Sequence, residues 1–304
     1  MGLADGLLLF CEYLVKQHGD PGKISEDLKA EEFKRYFLRD LPANVRSLRL
    51  VASVCGINTE AIDSGKMPNK MRGCHETIGS LRNIYYREED SQSGIQNTLL
   101  HEFREMLDPR LADVFPKYRL LSPQAAHRAA NLFASAVLLP SSDFIRDIYQ
   151  TGFDVAALSK IYSKSSSQVL LRMGEVLKGK LFFYGALYEK EIQESDRWQL
   201  TYRSLTNNGY QISISGLFPR KESKAKTGSL IETCAQTSKP HIVEYVIKRG
   251  GAEINLVSLA QPLLIDRSVN KVAMVTLLHQ DIDCLKPQVD HASPVKLKTI
   301  RLNI

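Results

Sequence analysis

The sequence predicts an α+β protein. Its N-terminal part is mainly helical with a small sheet, a short two-helix segment follows, and the C-terminal part is an antiparallel sheet with helices on one face. Three observations predict it. Apolar residues at helical spacing dominate the first half, as in ISEDLKAEEFKRYFLRDL, where Leu28, Phe33, Phe37 and Leu38 share a face. Two short runs among them, HETIG and RNIYYRE, read as strands. From Trp198 onward the runs become β-branched and partly alternating: WQLTYRSLT, YQISISGLF, HIVEYVI, AEINLVSLAQPLLI and VNKVAMVTLLH.

In chain order, Ser25 is a helix N-cap candidate, and VRSLRLVASVCGI repeats the helical pattern until Gly56. After the two strands, a helix over 93–107 follows EEDSQSG and is expected to end at Asp108-Pro109, since proline cannot continue it. An alanine-rich helix runs from Pro123 to Leu139 and stops at Pro140. Residues 153–175 read as two short helices around YSKS, with Val155, Leu158, Ile161, Val169 and Leu170 at the spacing of a helix-turn-helix or of an ordinary packing pair. One helix, SLIETCAQT, sits among the later strands, and QESDR (193–197) marks a boundary. The domains expected are 1–145, 146–192 and 193–304.

A chain of 304 residues, 43% hydrophobic and 24% charged, is ordinary for a globular protein. Its net charge of +6 is concentrated in PRKESKAK (219–226) and KLKTIRLNI (296–304), which read as a solvated loop and a tail; contact with DNA is left open. The five cysteines are scattered and form no C-x-x-C pair, which argues against a disulfide framework and a cysteine zinc site. The apolar stretch GLLLF near the start lacks a basic flank and a cleavage site, so no signal peptide is expected. No run approaches a membrane span, and a cytoplasmic location is expected.

The chemistry centres on LLHEFREMLDP. His101 and Glu105, four apart, point the same way on a helix, and Glu102 lies about 100° round the axis. Leu99, Leu100, Phe103, Met106 and Leu107 take the other side. Alone, this pattern fits a solvated polar face as well as a metal site. A third donor comes from the alanine-rich helix, where His127 shares a stripe with Ala130, Ala134, Val137 and Leu138. On such a stripe an imidazole is either aimed at a closely packed neighbour as a ligand or satisfied by a backbone carbonyl in the core.

NTLLHEFREML followed by HRAANLFASAVLLP resembles the ImmA/IrrE family of bacterial zinc metallopeptidases. The family pattern is H-E-x-x-H and, on a second helix, E-x-x-A-N-x-F-A-x-x-L-L-x-P. Ala130, Asn131, Phe133, Ala134, Leu138 and Pro140 match it, with Val137 in place of one Leu. The family's second ligand, His, is Glu105 here, and its third, Glu, is His127, so two imidazoles and one carboxylate remain. The resemblance implies metal ligands His101, Glu105 and His127, with Glu102 as general base. Zinc is the expected ion, and manganese and iron also suit a site with Glu105. It covers about residues 20–140 by motif and implies a zincin-like domain, then a helix-turn-helix-like segment and a GAF-like C-terminal domain. It also implies a function: site-specific cleavage of a helix-turn-helix transcriptional repressor that switches on a stress response, notably to DNA damage. The GAF-like part would be a ligand sensor, a docking surface or a structural module. The alternative is a non-catalytic transcriptional regulator or sensor whose metal site is structural or empty.

Overall fold

The computed structural model describes residues 5–69, 71–79, 81–191, 197–206, 218–249, 252–265 and 268–289, and the architecture is mixed α+β. Two compact units divide the chain, Met1–Ser141 and Ser142–Ile304.

In the first unit, α1 (Gly6–His18), α2 (Glu26–Phe33) and α3 (Val45–Val54) precede a three-stranded sheet of β1 (Ile57–Ile62), β2 (Gly73–Ile78) and β3 (Leu81–Arg87). The order is β1-β3-β2, with β1 parallel and β2 antiparallel to β3. Then come α4 (Gln92–Val114) and α5 (Pro123–Leu138). Short polar side chains set the helix starts: Asp5 caps α1, Ser25 accepts from the Leu28 amide, Ser91 from Gly94 and Ser122 from Ala125, with Pro123 in the first turn. Strands β2 and β3 occupy the HETIG and RNIYYRE runs, whereas β1 (INTEAI), with one buried residue, has no clear apolar alternation.

Phe33 on α2 packs edge-on against Phe103 of α4 at 5.0 Å and Phe133 of α5 at 5.4 Å, and with the fully buried Ala130 and Ala134 it sets the spacing of α4 and α5. A second tie is ionic. Arg104 of α4, 1% exposed, donates through Nε and Nη2 to the two carboxylate oxygens of Glu26 on α2 (2.6 and 2.8 Å) and through Nη1 to Asp108 (2.6 Å), which also accepts from Tyr118. Burial pushes the Glu26 carboxyl up, but the hydrogen bonds and charge of Arg104, joined by those of Lys29 at 2.8 Å, more than reverse this and hold it below the ordinary range.

Helix α4 does not end at Asp108-Pro109 as expected. It continues to Val114 with Pro109 inside it. Proline there removes the amide that would bond the Glu105 carbonyl and costs about 3 kcal/mol in a helix interior. Leu107 and Leu111, both fully buried, and the Arg104–Asp108 pair across the same turn offset that cost.

Gly73 lets β2 approach α4. A Cβ there would lie 2.2 Å from Thr98 Cγ2 and 2.7 Å from the Tyr85 carbonyl oxygen. Gly73→Ala is therefore expected to destabilise the first unit by about 1–3 kcal/mol, read in urea titration.

The second unit begins with α6 (Ser141–Thr151), α7 (Val155–Tyr162) and α8 (Ser166–Val176). Five strands follow, β4 (Phe183–Lys190), β5 (Trp198–Thr206), β6 (His241–Arg249), β7 (Ala252–Ile265) and β8 (Ser268–Leu278), with α9 (Leu230–Thr237) inserted and α10 (Lys286–Val289) after them. The sheet is antiparallel throughout, in the order β5-β4-β8-β7-β6. Helices cover both of its faces, not one. Ile231 and Cys234 of α9 pack with Tyr184, Ala186 and Tyr188, while the alternate β4 residues meet the other side, Phe183 against Phe153 and Gly185 against Leu170 of α8. Strand β4 is consequently buried on both faces and reads in sequence as an unbroken apolar run, LFFYGALY. It lies within the 146–192 segment named for its helix-turn-helix-like pair, after the two helices expected over 153–175, and it pairs with β5 across the boundary expected at 193.

Packing also bears on the helix-turn-helix reading. In α8, Val169, Leu170, Met173 and Val176 are buried, Arg172 is buried and paired with Glu175, and Leu171 is the exposed residue. The polar, half-exposed residues of α8 are Ser166, Ser167 and Gln168 in its first turn and Glu175 near its end, while the helix buries most of its remaining length as a packing element. Most of YQISISGLF, most of QESDR and all of KLKTIRLNI lie outside the described residues. Among the described residues, no helix is long and apolar enough to cross a membrane.

Candidate metal centre

Helix α4 carries His101 and Glu105 one turn apart, with His101 Nε2 3.2 Å from Glu105 Oε1. From the first turns of α5, His127 brings Nδ1 to 3.7 Å from the same oxygen, and its ring lies 4.6 Å from that of His101, centroid to centroid. The three residues offer one donor atom each, all within 4.8 Å of one another. Donors about 2.0–2.2 Å from a tetrahedral zinc lie roughly 3.3–3.6 Å apart, so the 3.2 and 3.7 Å separations about Glu105 Oε1 fit one ion.

His127 is not a core histidine: its side chain is 66% exposed, because α5 meets α4 closely only from Ala129 and Ala130 onward. His101, by contrast, is buried. Asn131, one turn after His127, accepts through Oδ1 from His101 Nδ1 at 3.2 Å. In the tautomer that donates from Nδ1 to Asn131, the Nε2 lone pair faces the Glu105 carboxylate oxygen at 3.2 Å, two donors that one cation can join, and this is the fit of the donor set to a metal. Loss of that orienting bond in Asn131→Ala is expected to weaken zinc binding about 10–100-fold, measurable by chelator competition.

Glu102 is buried on α4 beside these donors, and its Oε2 bonds His75 Nδ1 of β2 at 2.8 Å. That hydrogen bond, followed by the Glu102 and Glu105 charges, raises the His75 pKa against the opposing effect of burial. His75 was not among the sequence-predicted site residues. Its signal was a histidine on a short strand next to a candidate helix, which identifies nothing until β2 is placed against α4. Two neighbours of the motif face elsewhere: Arg104 belongs to the buried Glu26 clamp, and Tyr85 donates to Glu76 on the sheet. A cleft of about 500 Å³ opens over the site, lined by His101, Glu102, His127, Asn131, Thr98 and the segment around Arg72. Among the described residues β2 pairs through its backbone only with β3, so it is an edge strand of the sheet beside α4.

No protein-family model and no curated protein matches the sequence. In fold, the chain is similar to a solved Mycobacterium tuberculosis transcriptional regulator, with a TM-score of 0.56 and 13% identity over 92% of this chain and 84% of that one. A solved methyl-accepting chemotaxis protein X aligns over 49% of this chain and 64% of that one, at 13% identity and a TM-score of 0.22.

Proposed function

We propose that the chain is a metal-dependent, site-specific endopeptidase of the ImmA/IrrE type. Its substrate would be a helix-turn-helix transcriptional repressor whose cleavage switches on a stress response of the DNA-damage kind. The observation that carries the reading is the convergence of His101, Glu105 and His127 from two helices, with the Glu102 carboxylate beside them in a cleft. The first unit would be the zincin-like domain and the sheet of the second unit the GAF-like one.

A divalent cation at these donors, zinc by donor type with manganese and iron also suited, supplies an acidified water and a Lewis acid for the scissile carbonyl. Glu102 takes the proton of the attacking water and returns it to the leaving amine. Asn131, through Oδ1 3.2 Å from His101 Nδ1, would orient the ring with Nε2 toward the ion. As an edge strand, β2 can align an extended peptide as a further strand beside α4. Incubating the chain loaded with one equivalent of zinc with a helix-turn-helix repressor from its own genome, a neighbouring gene being the first candidate, should give two discrete fragments. Every such repressor staying intact with that equivalent bound overturns the reading.

One observation favours a second reading, the non-catalytic regulator: the fold neighbour is a transcriptional regulator. Salt-sensitive promoter binding, with regulation unchanged by Glu102→Gln, would establish it in place of the first.

A further inference from the structure

The two oxygens of Glu105 face different partners. Oε1 lies 3.2 Å from His101 Nε2 and 3.7 Å from His127 Nδ1. Oε2 lies 3.8 Å from His75 Nδ1, which is itself 2.8 Å from Glu102 Oε2. His75, Glu102 and Glu105 thus form a second group of three donors within 4.8 Å of one another, drawn from β2 and α4. The two triads share one residue, and they meet its two different oxygens.

We propose that the cleft binds two divalent cations bridged by the Glu105 carboxylate: one held by His101 and His127, the other by His75 and Glu102. The proposal rests on the metal reading of the first triad and adds to it a second ion with its own ligands. Chemistry favours it at position 105. An imidazole nitrogen gives one lone pair to one ion, whereas a carboxylate bridges ions about 3.5–4 Å apart through its two oxygens, as in two-metal sites. The His-to-Glu difference from the resembled motif is therefore the change that creates a bridge. The second triad is chemically complete, since an imidazole with two carboxylates suits zinc or manganese. With the second ion bound, Glu102 is a ligand and no longer a base, so the hydrolysis proposed above belongs to the chain holding one equivalent of metal, and a second equivalent is a brake on it.

The test is the metal stoichiometry of the full chain, stripped with chelator, reloaded with Zn²⁺ or Mn²⁺, passed through a desalting column and analysed by elemental mass spectrometry. The wild type should carry two ions per chain, and His75→Ala one. Glu105→His should also carry one, because it keeps three donors for the first ion and loses the bridge. Its remaining ion serves as evidence that the variant is folded. The Mn²⁺ form of the wild type should give the electron paramagnetic resonance spectrum of an exchange-coupled pair, replaced by that of isolated ions in both variants. One ion in the wild type, or two in His75→Ala, overturns the second site and leaves the first standing. No ion in the wild type overturns both.

Discussion

Glu102→Gln is expected to lower the rate of repressor cleavage by about 10²–10⁴ while leaving the His101–Glu105–His127 donors intact. The amide cannot accept the proton of the attacking water, yet it keeps the size of the carboxylate and an oxygen that can accept from His75 Nδ1, so β2 stays against α4. The loss should fall mainly on kcat, because Glu102 acts on the reacting proton and not on the bulk of the peptide. Its measurement is single-turnover cleavage of the repressor with zinc content determined on the same samples. An undiminished rate with metal retained would mean that another group serves as the base.

Arg104→Met is expected to destabilise the first unit by about 2–4 kcal/mol, because it leaves the buried Asp108 carboxylate without its cation and Glu26 with Lys29 alone. Lysine should not rescue it, since one ammonium cannot reproduce three donors in a planar fork. The pH dependence follows from Glu26, whose pKa is depressed in the folded state. Its contribution is fully present above the pKa of the unfolded carboxylate and is lost as pH falls through the lower folded value. In Arg104→Met only Lys29 opposes the upward push of burial on Glu26, so the depression shrinks and acid should cost this variant less stability than it costs the wild type. Urea denaturation at neutral and acid pH checks both the size of the loss and its sign. The clamp also matters to the site, because it holds the turn of α4 that carries Glu105 against α2.

Helices were legible where a cap and an apolar period coincided: Ser25 for α2, Ser122-Pro123 for α5, and the YSKS break between α7 and α8. Elements whose signal depends on tertiary surroundings were not. Buried on both faces, β4 has no alternation to read. Proline 109 sits within α4 because packing on both sides of it outweighs a local preference for stopping. The same division holds at the candidate site. His101, Glu105 and His127 could be singled out because helical spacing and one motif place them on two facing helices. His75 reaches Glu102 only through the register of β2 on β3 and its approach to α4, and Arg104 finds Glu26 across 78 residues of chain; neither pairing leaves a local trace in the sequence.

Zinc binding by the three convergent donors tests the central claim most directly. The full chain, expressed in zinc-replete medium and purified without chelator, is predicted to retain zinc through gel filtration and to lose one equivalent of it in a folded His101→Ala variant. A folded wild-type chain that emerges free of zinc, manganese and iron would contradict the account.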